Sequence, residues 1–165
     1  MKSKLLLTFL FLFAIVSDQI SKHLISSHFD LYESKSLVGN FLYIHYIKNP
    51  GAAFGLTLGH PLIMLAITIT IVIVLSYLFI KGDLFSDNML GKFAMVMVLA
   101  GAFGNLIDRI RFREVVDFID MGIGTHRWPV YNMADLYVTI GMFILIYYFA
   151  FKETPGQNTS SVSPE

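Results

Sequence analysis

Four long apolar runs dominate the chain, and polar segments separate them. A helix needs about 20 mostly apolar residues to cross the hydrocarbon core of a bilayer. The runs therefore predict four transmembrane helices, at residues 5–25, 62–80, 90–108 and 134–151. The first run follows a short basic head and has the character of a signal peptide. No small-residue cleavage pattern follows it, however, and three further spans do, so we expect a retained helix.

The connection between the first two runs, residues 26–60, is too long for a simple loop. Within it, Phe41–Ile47 is rich in β-branched and aromatic residues and contains no breaker, which predicts a strand. Asn49–Gly51 then predicts a turn, of a kind that ordinary hairpins also contain. The residues that follow, Ala52–Gly55, carry little bulk apart from one ring, so another chain could approach closely.

Composition agrees with a membrane protein, since the chain is 55% apolar and 15% charged, with a mean hydropathy of +0.64. Soluble domains carry roughly 25% charged residues. The net charge is zero, so no basic surface indicates a nucleic-acid partner. The chain has no cysteine and its five histidines show no ligand spacing, so we expect no metal and no cofactor. Residues 153–165 are rich in serine, threonine and proline, which predicts a disordered tail.

The distribution of basic residues does not by itself decide on which side of the membrane the termini lie. Four spans put both termini on one side, and with the termini inside, five basic residues are inside and seven are outside. The raw count of basic residues therefore favours the opposite orientation. We nevertheless expect the termini inside, because the first helix often dominates and its head is basic without acids.

Polar groups that a lipid-facing segment should not contain concentrate between residues 101 and 135. Three aspartates, two asparagines and an arginine lie between or against two apolar spans: Asn105, Asp108, Arg109, Asp117, Asn132 and Asp135. Such residues are costly in a bilayer and are functional candidates by default. Helix ends that reach water would explain any one of them, but explain the whole set less easily.

Two groups within this region each share one helix face: Gly101, Asn105 and Asp108 at i, i+4 and i+7, and Asn132 and Asp135 at i and i+3. If these faces meet, the asparagines can donate to carboxylates while Asp117, in a loop, faces Asp135. Two carboxylates at close range share one proton. One can then activate a water while the other protonates or polarises a carbonyl, which is peptide hydrolysis without a covalent intermediate.

Asp18 and Lys22 form another polar pair, near the end of the first span. Their i, i+4 spacing puts them on one face, where they can form an ion pair. The pair is compatible with two interpretations: a snorkelling ion pair at a helix end, or a functional element of the site.

Two other classes of function remain compatible with these residues. Acids and asparagines across several spans also describe a proton- or ion-coupled transporter or a channel. The acids cluster near one membrane boundary, however, whereas a relay has to cross the bilayer. A small non-catalytic membrane subunit is the third possibility, and it would leave the paired Asn and Asp motifs unexplained.

Five short motifs, in order, resemble those of lipoprotein signal peptidase, the signal peptidase II of bacteria. They are Asp18-Gln19-Ile20-Ser21-Lys22, Asn49–Phe54, Gly101–Arg109, Val116-Asp117-Phe118 and Asn132-Met133-Ala134-Asp135. The resemblance covers residues 5–151 and implies an all-α membrane fold, with four transmembrane helices and a small extramembrane β-sheet on the periplasmic side. It implies one domain over residues 1–152, a β-rich cradle over about 36–58, and a cytoplasmic tail.

The resemblance also implies an aspartyl endopeptidase of the bacterial inner membrane, with both termini cytoplasmic and the site near the periplasmic face. Its substrates would be diacylglyceryl-modified prolipoproteins, cut just before the lipidated cysteine, and its surroundings membrane lipid. It implies no cofactor, and we infer a monomer without an obligate protein partner.

Carried over to this chain, the catalytic pair is Asp117 and Asp135. The residues that shape or support the site are Asp18, Lys22, Asn49, Gly101, Asn105, Asp108, Arg109, Asn132 and Ala134. We expect Asp18 with Lys22 to be a positioning pair and Arg109 to be the counter-charge of Asp108. We also expect the small residues 100–104 to let the signal helix of the substrate approach.

Overall fold

The computed structural model describes residues 2–51, 60–81, 85 and 88–151. Within these ranges the helices are α1 (Lys2–His28), α2 (Pro61–Lys81), α3 (Met89–Phe112) and α4 (Met133–Phe151). All four are long and apolar enough to cross a membrane. The predicted class of four membrane helices with a small sheet is confirmed. The predicted tail at 153–165 and the small residues at 52–55 lie outside the described residues.

The strands are β1 (Ser34–Val38), β2 (Leu42–Asn49), β3 (Val115–Ile123) and β4 (His126–Arg127), joined as an antiparallel sheet in the order β1-β2-β3-β4. The strand predicted at 41–47 is confirmed as β2. The loop predicted around Asp117 is wrong, because α3 continues to Phe112, beyond the predicted end at residue 108, and β3 follows almost at once. Residues 115–118 are all buried, so β3 shows no polar and apolar alternation in its first half.

Helix α3 is the centre of the bundle, and 12 of its residues are buried. Asn88 precedes it as the N-cap residue, and its side-chain oxygen accepts a 2.9 Å hydrogen bond from Gly91 N in the first turn. Ala94, Val98 and Leu99 of α3 then pack with Leu145 of α4 in one hydrophobic cluster. This packing aligns the C-terminal end of α3 with the N-terminal end of α4.

Close contact between α3 and α4 depends on glycines, as is common where helices pack in lipid. A Cβ at Gly141 would lie 2.7 Å from the backbone oxygen of Ala94, and one at Gly101 would overlap the backbone oxygen of Ala134. The two glycines therefore hold the helices together at both halves of their interface.

Replacing Gly141 with valine should lower stability by about 1–3 kcal/mol, because the added methyl groups force the α3 and α4 backbones apart. The change lies far along α4 from Asp135, so it tests packing and not chemistry. Unfolding of the purified protein in detergent, followed by circular dichroism, measures the loss. Met142→Val on the exposed face of α4 is the control, and an equal loss in both variants would show that close contact at Gly141 is not needed.

Candidate active site

Asp117 lies on β3, opposite Ile47 of β2, and not in a loop as the sequence predicted. Its side chain is 2% exposed. Asn49, the last residue of β2, donates a 2.9 Å hydrogen bond from Nδ2 to Asp117 Oδ2. The Oδ1 atom of Asn49 in turn accepts a 2.9 Å bond from Gly51 N, so the predicted turn fixes the side chain that holds Asp117.

Asp135 lies in the first turn of α4, where Asn132 caps the helix. Asn132 Oδ1 accepts a 3.0 Å hydrogen bond from Asp135 N, and Asp135 Oδ2 accepts a 3.2 Å bond from Asn132 N. This reciprocal pair is a capping box, with Asp in the place where Glu or Gln is usual. The motif Asn132–Asp135 therefore begins the helix and fixes the position of Asp135 at the same time.

Two asparagines join the carboxylates. Asn132 Nδ2 donates to Asp117 Oδ1 at 2.6 Å and to Asn105 Oδ1 at 3.2 Å. Asn105 Nδ2 donates to Asp135 Oδ1 at 2.7 Å. The prediction that Asn105 and Asn132 donate to carboxylates is thus confirmed in geometry. Asp117 and Asp135 belong to one continuous network, although they come from a strand and a helix.

Beneath this network lies a buried cluster of charges. Lys22 Nζ is 3.0 Å from Asp18 Oδ2 and 3.0 Å from Asp108 Oδ2, and it donates a 2.9 Å hydrogen bond to Asn105 Oδ1. All three ionisable side chains are nearly fully buried. One cation thus connects α1 with α3 and contacts the asparagine that holds Asp135. The Asp18–Lys22 pair is not a snorkelling pair, because neither side chain reaches the surface.

Asp18 also connects α1 to α4. Its Oδ1 accepts a 2.9 Å hydrogen bond from Ala134 N, one of the amides at the helix start that lack a partner within the helix. Gly104 makes this approach possible, since a Cβ there would lie 2.6 Å from Asp18 Oδ2. The expectation that residues 100–104 let the signal helix of a substrate approach is therefore wrong for the two glycines. Gly101 and Gly104 face α4 and α1, and do not line a surface open to a substrate helix.

Gln19 is a member of the site to which sequence reasoning assigned no role. Its Nε2 lies 3.1 Å from Asp108 Oδ1, 3.2 Å from Asp18 Oδ2 and 3.2 Å from Gly104 O. The sequence pattern could have indicated this role, because Gln19 lies three residues before Lys22 and so shares a helix face with it.

Arg109 is not the direct partner of Asp108 that the sequence suggested. Its guanidinium donates to two backbone oxygens, that of Gly51 at 3.3 Å and that of Asn105 at 3.4 Å. Asp108 instead binds Lys22, Gln19 and, at 3.2 Å, Val116 N at the start of β3. Arg109 thus connects α3 to the turn after β2, while Asp108 connects α3 to β3.

Burial is the main cause that raises the pKa of Asp117 to about 7, and the neighbouring Asp135 carboxylate adds to it. Hydrogen bonds from Asn49 and Asn132 act in the opposite direction, because they favour the ionised form. Asp117 therefore holds a proton in part of its population at neutral pH. Two acids of this kind, one able to keep a proton and one more exposed, can perform acid and base catalysis together.

Comparison with known proteins agrees with this geometry. The family model for signal peptidase (SPase) II matches residues 10–151. The chain belongs to the signal peptidase II family. A lipoprotein signal peptidase of Syntrophus aciditrophicus is 44% identical over 138 residues, 80% of this chain and 84% of that protein. One from Staphylococcus aureus is 38% identical over 150 residues, 91% of this chain and 90% of that protein.

Solved structures show the same fold. A bacterial membrane enzyme determined by the in meso method at 2.3 Å resolution superposes with a TM-score of 0.80 at 35% identity, covering 95% of this chain and 94% of that chain. A second such structure, at 1.9 Å, gives a TM-score of 0.76 at 36% identity, with 90% and 94% covered. The predicted family and enzyme class, a signal peptidase II and aspartic peptidase, are confirmed. The protein is a multi-pass protein of the bacterial inner membrane.

Replacing Lys22 with methionine should destabilise the protein by about 3–5 kcal/mol, since it leaves two buried carboxylates without their cation. Chemical unfolding in detergent measures the loss. The double variant Lys22→Met/Asp108→Asn should recover part of it, because one of the two uncompensated charges is removed.

The control for this substitution is Lys48→Met, which removes an exposed lysine of β2. It should change the free energy of unfolding by less than about 0.5 kcal/mol. A loss at Lys22 no larger than the loss at Lys48 would show that the buried cation does not hold the helices together.

Proposed function

We propose that this protein removes signal peptides from diacylglyceryl-modified prolipoproteins and cleaves just before the lipidated cysteine, with Asp117 and Asp135 as the catalytic pair. The observation that carries the proposal is the network in which Asn132 binds both Asp117 and the first turn of α4 that bears Asp135. Family membership supports the substrate class, because the related proteins are named lipoprotein signal peptidases.

In this mechanism a water attacks the scissile carbonyl carbon between the two aspartates. Asp135, the more exposed of the pair, acts as the base and takes a proton from the water. Asp117, which retains a proton near neutral pH, gives it to the carbonyl oxygen. The resulting diol collapses as the C–N bond breaks. The proton on Asp135 passes to the leaving nitrogen, and one hydroxyl of the diol returns its proton to Asp117 as it becomes the new carbonyl, so both carboxyl groups return to their starting state.

The supporting residues have distinct tasks in this proposal. Asn105 and Asn132 orient the aspartates, and Asn49 holds Asp117 from the sheet side. Arg109 holds the turn after β2 at Gly51, next to the entrance of the site. The remaining members keep the helices in register: Asp18, Lys22, Gly101, Asp108 and Ala134.

The site lies at one end of the bundle, where α1 and α3 end and α4 begins. We place this end at the periplasmic face, with both termini in the cytoplasm, and the sheet as a cradle beside the site. In the described residues, the buried charges lie at this end and in the adjoining sheet. A transport pathway needs polar groups across the whole membrane, so this distribution favours a peptidase.

We also propose that the protein works as a monomer in membrane lipid, with residues 1–152 as its one domain.

Asp117→Asn and Asp135→Asn should each reduce cleavage of a diacylglyceryl-modified prolipoprotein by at least about 100-fold, because each removes a proton-transfer group. Cleavage is measured in detergent micelles, with folding matched by circular dichroism. Asp120→Asn is the control, since Asp120 lies on the same strand but pairs with Arg127 at 2.7 Å.

Wild-type protein should ignore the same substrate without its diacylglyceryl group. Persistent cleavage by either Asn variant would refute the catalytic pair. Full loss in Asp108→Asn, with the protein folded, would show that the wrong aspartates were chosen.

The rate of cleavage should fall as pH rises through about 7, because Asp117 then loses the proton that it must donate. Asn49→Ala removes a hydrogen bond that favours the ionised form of Asp117, so the pKa of Asp117 should rise. The fall in rate on the basic side of the pH profile, its basic limb, should then move to higher pH. The measurement is the pH profile of kcat/KM. Asn40→Ala, in the turn between β1 and β2, should leave the limb in place. A limb that moves to lower pH in Asn49→Ala would contradict the assignment of Asp117 as the acid.

A further inference from the structure

A cavity of about 530 Å³ lies between α1, α2 and α3. The cavity lies at the start of α1 and α3 and the end of α2. Its walls come from residues within 3–11 of α1, 76–80 of α2 and 92–103 of α3, together with Phe85. The volume falls within the roughly 300–1,000 Å³ that is typical of ligand sites. Since the aspartates lie where α3 ends and α4 begins, this cavity is at the opposite end of the bundle from the candidate active site.

The inner part of the cavity is apolar. Leu7, Val96 and Leu99 line it and are buried. Phe11 and Phe103, in edge contact with centroids 5.4 Å apart, lie farthest from the helix ends. At 1.5 Å per residue, the groove runs roughly 10–16 Å along the helices. Such a groove suits a single hydrocarbon chain.

The outer part carries positive charge. Lys4 and Lys92 line this part of the cavity, together with Ser3, Thr8 and Ser76. Neither lysine forms an ion pair with a carboxylate in the part of the chain that the structure describes. Two ammonium groups above an apolar groove complement an amphiphile with an anionic head.

The geometry points to a binding site for an anionic phospholipid, with its phosphate between Lys4 and Lys92 and one acyl chain in the groove. Basic pockets between transmembrane helices bind anionic head groups in this way. The charge disfavours the signal helix of a substrate as occupant, an argument that rests on the proposed function. Signal peptides begin with a positively charged segment, which the two lysines would repel.

The test is a titration of the detergent-solubilised full chain with phosphatidylglycerol, followed by native mass spectrometry. One molecule should bind saturably, and phosphatidylcholine with the same acyl chains should bind much more weakly. Lys4→Gln and Lys92→Gln should each weaken phosphatidylglycerol binding about fivefold, and together on the order of 20-fold. Ser76→Trp should also weaken it, because the indole fills the groove while both lysines remain.

Lys81→Gln is the matched control, since Lys81 lies at the same end of the bundle but outside the cavity lining, over the ring of Tyr77. An equal loss of phosphatidylglycerol binding in Lys81→Gln would mean that the lipid is attracted to the basic surface in general, and would overturn the proposed site. Equal binding of phosphatidylcholine, or unchanged binding in Lys4→Gln/Lys92→Gln, would do the same. Displacement by glycerol phosphate at similar concentration would indicate a phosphate site without a lipid requirement. Prolipoprotein cleavage by each variant verifies folding and separates this result from the test of the catalytic pair.

Discussion

One buried cation organises the functional end of this protein. Lys22 lies within 3.0 Å of carboxylates from α1 and α3 and donates to Asn105. Charges taken out of water must be paired and hydrogen-bonded or they cost several kcal/mol. All the acceptors around Lys22 are fixed on rigid helices, so the pairing holds only in one arrangement of those helices. The described residues have no buried side-chain nitrogen or oxygen without a partner, which is the condition for such a network to be stable.

This constraint reaches the aspartates through two contacts. Asn105 accepts from Lys22 and donates to Asp135, so the charge cluster orients the amide that holds the Asp135 carboxylate. Asp18, the partner of Lys22, accepts from Ala134 N and so fixes the start of α4. Asp108 accepts from Val116 N, one residue before Asp117, and so fixes the start of β3. The side chains of Asp117 and Asp135 are therefore both positioned from the same three charges.

Spacing along the chain was enough to predict much of this site. Gly101, Asn105 and Asp108 share a face because of the helical period, and apolar length located the four helices. The local pattern could not reveal β3, because a strand buried on both faces shows no alternation. Nor could it show that Lys22, and not the adjacent Arg109, forms the close ion pair with Asp108. That choice depends on how α1 packs against α3, which Gly104 permits by leaving room for Asp18.

The two aspartates are chemically alike, but the fold makes them different. Asp135 lies in the first turn of α4, at the positive end of the helix dipole. Asp117 lies on a buried strand, where loss of water and the charge of Asp135 favour the protonated form, with its pKa near 7. The two asparagine donors on Asp117 limit this effect, since they stabilise the ionised form. In the proposed mechanism, the position of each residue, in a strand or at a helix start, therefore suits Asp135 to act as the base and Asp117 to act as the acid.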